Sequence, residues 1–195
     1  MIAVARDRKQ LLDCYFELAS QAFGRLSELR PSSRDVWFNY ANALYGARDW
    51  AALVPVAVRL IELDPLGETT GLLAARAMFE AGDTAAALQA LNNVEAAPLY
   101  VGRLQMRPVQ TATRVTGEVT GNLAPPGTPI TLRFVFYDDG RLLGNSSVAV
   151  AAPADGEKTL FELQFAGAAT AYRYEFTAPP PAESAPATPP APPTP

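Results

Sequence analysis

Prolines that close apolar helical stretches recur at a near-constant interval, and that interval limits what this chain can fold into. Pro31, Pro65 and Pro98 stand about 34 residues apart. Phe23, Leu26 and Leu29 precede Pro31, and Ala57, Leu60 and Leu63 precede Pro65, each set at helical spacing. Proline has no N–H to donate and disfavours helix in the residue before it, so each one marks a helix end. Turn residues keep the same step: Arg48-Asp49-Trp50 aligns with Gly82-Asp83-Thr84, which sets Asp49 and Asp83 one step apart. A period of this size in an Ala- and Leu-rich stretch predicts stacked pairs of antiparallel helices over residues 1–97.

The middle unit resembles the tetratricopeptide repeat (TPR). Trp37, Tyr40, Ala41, Leu44, Trp50, Leu53, Ala57, Leu60 and Pro65 fall where that family places its Trp, Leu, Gly, Tyr, aromatic, Ala, Phe, Ala and Pro. Ala41 stands for the usual Gly at the helix approach. Leu53 stands for a small Ala and Ala57 for a bulky aromatic, so packing volume is exchanged between neighbouring sites. A weaker unit follows, through Ala74, Ala75, Met78, Thr84, Ala87, Leu91 and Val94. Val4–Leu29 carries no dividing turn signal and is expected to be one long helix or a repeat cut off at its start. Stable arrays need about three repeats, so either the segment after residue 97 covers the last helix or more chain precedes Met1.

Residues 98–177 change character. Six strands are predicted, at 103–108, 114–119, 130–137, 142–151, 159–165 and 172–176. Alternation is clearest where Ile130, Leu132, Phe134 and Phe136 interleave with Thr131, Arg133 and Val135. Asp138-Asp139-Gly140 is a hairpin turn with a Gly available for positive φ. So many short strands in so short a segment predict a small antiparallel β-sandwich. Phe134-Val135-Phe136-Tyr137-Asp138, Gly117-Glu118-Val119 with Asn122, and Asp155-Gly156-Glu157 ahead of Phe161 together resemble the FxLYD domain, a small sandwich of bacterial and archaeal envelope and repeat proteins. That family brings no catalytic residues. Residues 178–195 hold nine of the 18 prolines, five alanines and a single charge, Glu183. This composition predicts a disordered or polyproline-type tail. The expected fold class is therefore α + β in two domains: a TPR-like α-helical hairpin array (1–97), an FxLYD-like sandwich (98–177) and the tail.

Composition removes much chemistry. The chain has no histidine, which excludes Ser–His, Cys–His and imidazole–zinc mechanisms. Sixteen Lys and Arg against 20 Asp and Glu leave no basic excess for a phosphate backbone, so no nucleic-acid partner is expected. Asp138-Asp139 and Asp155/Glu157 lie in predicted turns without a calcium-loop ladder around them, and read as turn residues. Ser146-Ser147 and Ser32-Ser33 have no nucleophile elbow, and Ser32 or Ser33 is expected to cap the helix that starts near Asp35. Cys14, among Leu11, Leu12 and Leu18, is expected to be a small buried apolar residue. No catalytic residue, metal or cofactor is expected.

In tetratricopeptide arrays the first helix of each pair lines a concave groove. Phe38, Asn42 and Tyr45 share one helix face, and Arg76 follows Asn42 by one repeat step. Asn39 and Asn42 match the asparagines of the family's carboxylate clamp, but its lysines are missing. The candidate partner-binding set is thus Phe38, Asn39, Asn42, Tyr45 and Arg76, set against a plain solvated surface. The expected function is a non-enzymatic protein–protein interaction adaptor or scaffold, with a protein or peptide as its partner. The alternative is a structural component of the bacterial cell envelope whose signal or anchor is missing from this chain. No stretch approaches the roughly 20 apolar residues of a membrane span. As written the N-terminus has no signal peptide, which implies a cytoplasmic protein, or an envelope one if the start is truncated.

Overall fold

A computed structural model describes residues 2–178. Five helices come first: α1 (Ile2–Leu29), α2 (Arg34–Ala47), α3 (Trp50–Leu63), α4 (Glu68–Glu80) and α5 (Thr84–Glu95). Six strands follow: β1 (Leu99–Val109), β2 (Ala112–Gly121), β3 (Pro129–Asp138), β4 (Arg141–Ala151), β5 (Lys158–Phe165) and β6 (Ala171–Thr177). The chain is thus α + β, with a helical N-terminal part and a β C-terminal part. No helix among the described residues is long and apolar enough to cross a membrane. The tail expectation falls on residues that, from 179 onward, lie outside those described; Ala178 itself packs on the β core.

What repeats along the helical half is the helix end. Asp49 caps α3, its Oδ1 accepting from Ala52 N–H at 3.1 Å, and Asp83 caps α5 in the same way from Ala86 N–H at 2.9 Å. Ser33 is the N-cap of α2, and Gly67, one repeat step on, is the N-cap of α4. Arg48 and Gly82, related by the same step, both take positive φ as the chain turns back. A capping side chain meets one of the N–H groups that a helix start leaves orphaned, so Ser33, Asp49 and Asp83 fix where α2, α3 and α5 begin. Between them, Ala41, Leu44, Leu53, Val56, Ala57 and Leu60 form a core with Ala74 and Ala77 of α4. At Gly71 a Cβ would collide with Val94 of α5, so only glycine allows this helix pair its separation. The undivided stretch before Leu29 is one 28-residue helix.

The β half is two three-stranded antiparallel sheets, ordered β1-β2-β5 and β4-β3-β6. Ile130, Leu132, Phe134 and Phe136 of β3 all point inward and are fully buried. Phe134 stacks on Tyr174 with ring centroids 5.4 Å apart, and Phe136 on Phe165 at 4.4 Å. The β3–β4 turn carries φ of 43° at Asp139 and 81° at Gly140, the twin positive values that suit a two-residue hairpin.

The halves join through the α3–α4 loop. Leu66 inserts into the sandwich core beside Leu99 and Val101, and its carbonyl accepts from Val101 N–H at 2.8 Å. Next to it Asp64 is almost wholly buried. Its Oδ2 accepts from Arg34 Nε (3.0 Å), Arg34 Nη2 (2.7 Å) and Thr70 Oγ1 (2.9 Å). Its Oδ1 accepts from the Tyr174 hydroxyl at 2.6 Å, and that hydroxyl accepts in turn from Leu66 N–H. One carboxylate thereby ties α2, α3, α4 and β6 together. Gly67 is required beside it: a Cβ there would stand 2.6 Å from Oδ2 and 2.7 Å from Oδ1. At the other end of the junction, Asn122 Nδ2 donates to the carbonyls of Glu95 and Ala97.

Removing the carboxylate takes away the buried counter-charge of the Arg34 guanidinium and leaves it only the half-exposed Asp35, at 3.2 Å. Asp64→Ala is expected to cost about 3–5 kcal/mol. Tyr174→Phe, which deletes the two hydrogen bonds of the hydroxyl and strands Leu66 N–H, should cost about 1–3 kcal/mol. Urea unfolding of both variants checks the order; equal and small losses would show that the network does not join the halves.

Candidate interaction surface

The five residues singled out in the sequence divide between two places. Asn39 and Asn42 are exposed on α2, and each folds its amide back onto its own helix: Asn39 Nδ2 donates to the Asp35 carbonyl (2.8 Å) and Asn42 Nδ2 to that of Phe38 (2.9 Å). Tyr45, also exposed, meets the edge of Trp50 with centroids 5.3 Å apart. Phe38 is half-buried, with the Arg34 guanidinium 4.8 Å above its ring, and lines a cleft between the helices and β1. Arg76 is exposed on α4, ion-paired with Glu80, and lines a groove between α4 and α5. Leu72, Arg76 and Phe79 repeat Phe38, Asn42 and Tyr45 one step later. Polar and aromatic side chains therefore occupy matching positions on α2 and α4, while the cavities they line are separate.

The cleft holding Phe38 has a volume of about 360 Å³ and is rich in charge. Arg34 is committed to Asp64, while Lys158 donates to Glu118 at 2.8 Å with Arg103 3.7 Å from the same carboxylate. Burial works against the Arg34 charge, but Asp64 more than offsets it, and the guanidinium is held above its ordinary value. The hydrogen bond from Lys158 pulls Glu118 below the usual carboxylate range. Each of these cations thus has a carboxylate partner. Glu118, kept ionised, is poorly suited to give up a proton as a general acid. Among the described residues no group of three or more His, Cys, Asp and Glu side chains is placed to hold a metal ion.

The α4–α5 groove is different in kind. Leu72, Ala75, Phe79, Ala87, Leu88 and Leu91 line it with Arg76 and Thr84, and its cavity is about 400 Å³. Phe79 and Leu88 are each 56% exposed. The β half docks on the α2, α3 and α4 side and leaves this face open. At the other end of the array, Leu11, Tyr15 and Leu18 of α1 are exposed too.

Cys14 corrects an expectation: it is exposed, not buried. Helical spacing identified an apolar face on α1, but α2 packs against the later part of that helix, where Phe16 meets Gly46 and Gly24 meets Tyr40. Nothing among the described residues covers Leu11, Tyr15 and Leu18. Sequence reasoning passed over Asp64 altogether. The signal was an acidic residue at a helix C-terminus, where the dipole disfavours it, set between Leu63 and the Pro65-Leu66 pair. Ser33, one of the two predicted caps, is the one used.

No protein-family model matches the sequence, and no curated protein matches it significantly.

The buried tyrosines of β6 give the molecule an alkaline limit. Burial, reinforced by the nearby carboxylates, raises both hydroxyls: Tyr174 through burial and then Asp64, Tyr172 through burial and then Asp35. Among the described residues the Tyr172 hydroxyl has no hydrogen-bond partner. An unfolded tyrosine ionises near 10. Above that pH the unfolded chain binds fewer protons than the folded one, so stability falls as pH rises. The expected slope is about 1.4 kcal/mol per pH unit for each tyrosine. Unfolding curves between pH 9 and 11.5 measure it; Tyr172→Phe should roughly halve the slope, and an unchanged slope would overturn the assignment.

Proposed function

We propose that this chain is a non-enzymatic protein–protein interaction adaptor or scaffold, built as a TPR-like helical array with an FxLYD-like sandwich fixed to its side. The observation that carries the proposal is the row of exposed large side chains on α2 and α4. Tyr45, Leu72 and Phe79 stand uncovered beside Asn42 and Arg76. Leu72 and Phe79 line one open groove, and grouped exposed apolar side chains of this kind mark a binding surface. Support also comes from the helix starts: α2 begins at Arg34 and α4 at Glu68, one repeat step apart, so the same kind of face is presented twice. The sandwich, joined through Asp64 and Leu66, keeps the α3–α4 loop rigid and with it the angle between those helices.

A partner lying along this face engages Asn42 and Arg76. Asn42→Ala with Arg76→Ala is expected to leave stability within about 0.5 kcal/mol of the parent, since both residues are exposed. The same pair should lower partner affinity by about 2 kcal/mol or more. Leu60→Ala supplies the contrast, because Leu60 is fully buried in the helical core; it should destabilise by about 2–5 kcal/mol. Affinity capture with the full-length protein, read beside thermal unfolding, checks both. Recovery of the same partners by the double variant would end the proposal.

A further inference from the structure

The α4–α5 groove is the unfilled copy of a groove that is filled inside the same molecule. Its lining residues Ala75, Ala87 and Leu91 stand one repeat step after Ala41, Leu53 and Ala57. Those earlier residues are completely buried, in a core to which α4 contributes Ala74 and Ala77. Ala75 and Ala87 are buried as well, by the α4–α5 pairing itself, so the missing cover shows at the rim, in Leu72, Phe79, Leu88 and Leu91. One repeat later no helix arrives, since the chain turns into β1. Leu91, equivalent to the buried Ala57, is left 37% exposed. The site is therefore shaped for a helix.

The filled and unfilled copies differ in size. Ala87 stands where the filled groove has Leu53, which deepens the floor, and Leu88 and Leu91 stand where it has Val54 and Ala57, which raises one wall. A floor without the leucine suits larger knobs than the alanines that α4 supplies. Such knobs are present, uncovered, at the opposite end of the array. Leu11, Tyr15 and Leu18 follow one another at helical spacing and so form one stripe on α1. Helix α1 is also long enough to deliver them. Its 28 residues span about 42 Å, twice the length of α2 or α3, and only its later part packs on α2. Asp13 and Glu17, one turn apart, flank the stripe, and the cation that borders the groove is Arg76, paired with Glu80 in the free chain.

We propose that the exposed Leu11, Tyr15 and Leu18 stripe of α1 from one copy of this chain docks in the α4–α5 groove of another. This inference builds on the adaptor proposal and names the chain itself as a partner. The two faces are different and lie at opposite ends of the helical array, so the contact is head-to-tail. Each copy that docks presents a fresh groove, and assembly continues until a ring closes or the supply of chains ends.

Sedimentation velocity of the full chain, over a wide concentration range, tests the proposal. The expected result is a mass that climbs past the 20.8 kDa monomer without stopping at a dimer. Leu18→Glu blocks the knob and Leu88→Glu blocks the groove. Both side chains are more than half exposed, so circular dichroism should show unchanged helix content. Each variant alone should remain monomeric. Mixed in equal amounts, they should form one dimer, because each retains the face the other has lost. Tyr15→Glu and Phe79→Glu form a second pair with the same expected outcome, should either first variant lose helicity. A chain monomeric at every concentration would overturn the proposal. So would a Leu88→Glu variant that associates like the parent, which would mean α1 pairs with α1, or an equimolar mixture that stays monomeric. Leu72, Arg76 and Phe79 belong to both surfaces, whereas Asn42 and Tyr45 lie outside the groove. Partner capture that survives in a monomeric Leu88→Glu variant would uphold the adaptor proposal alone, and self-association that survives in the Asn42→Ala, Arg76→Ala variant would uphold this one alone.

Discussion

A carboxylate in a place where water cannot reach it is the interaction on which the rest of this structure depends. Burying an ion is costly, and the cost is offset only when every lone pair is met with good geometry. Asp64 meets that condition with two bonds from one guanidinium, one from a threonine and one from a tyrosine, at 2.6 to 3.0 Å. The donors come from three other elements, so satisfying the charge and assembling the molecule are the same event. Hydrophobic burial alone would permit the sandwich to slide or tilt on the helices. The short bonds to Asp64 admit one arrangement. Gly67 follows as a steric consequence, because the carboxylate occupies the space a side chain would need.

What the sequence made legible is what short-range forces decide. The caps at Ser33, Asp49 and Asp83 act on N–H groups a few positions away, so their spacing displays the helix pairs directly. The strands of the second half are equally local: period-two burial along β3 and the Asp139-Gly140 turn can be read without knowing what lies opposite. Asp64 was opaque because its meaning depends on Tyr174, 110 positions later, and on Arg34, 30 positions earlier. No periodicity encodes such a meeting. Cys14 failed for a related reason: a pattern shows which face of a helix is apolar, and the neighbour that would cover that face is a property of the whole fold.

The candidate surface was legible to the same extent. Periodicity aligned Asn42 with Arg76 and put Phe38 and Tyr45 on one face, and the structure keeps those positions on α2 and α4. It could not foresee that Asn39 and Asn42 turn their amides onto carbonyls of their own helix. Nor could it foresee that Phe38 is drawn under Arg34 toward the junction. The α4–α5 groove was hidden because its openness results from where the sandwich docks. Had β1 crossed over α5 instead of running back beside α4, the same leucines would be ordinary core.

Leu66 sits among sandwich side chains although it is synthesised a full helix pair before the first strand, and the hydroxyl that receives its N–H belongs to the final strand. During translation the helices emerge with the α3–α4 loop unmatched and the Asp64–Arg34 pair not yet enclosed. The loop must wait until β6 has left the ribosome. The last strand thus acts as a latch on work done at the beginning, and loop-closure entropy over such a span makes its closing a late and comparatively slow step. Chains that terminate before Tyr174 would keep their caps and helices yet lack the latch. In them Asp64 Oδ1 and the Leu66 N–H would both lack the hydroxyl that joins them, and the α3–α4 loop would stay unfastened until the chain was complete through β6.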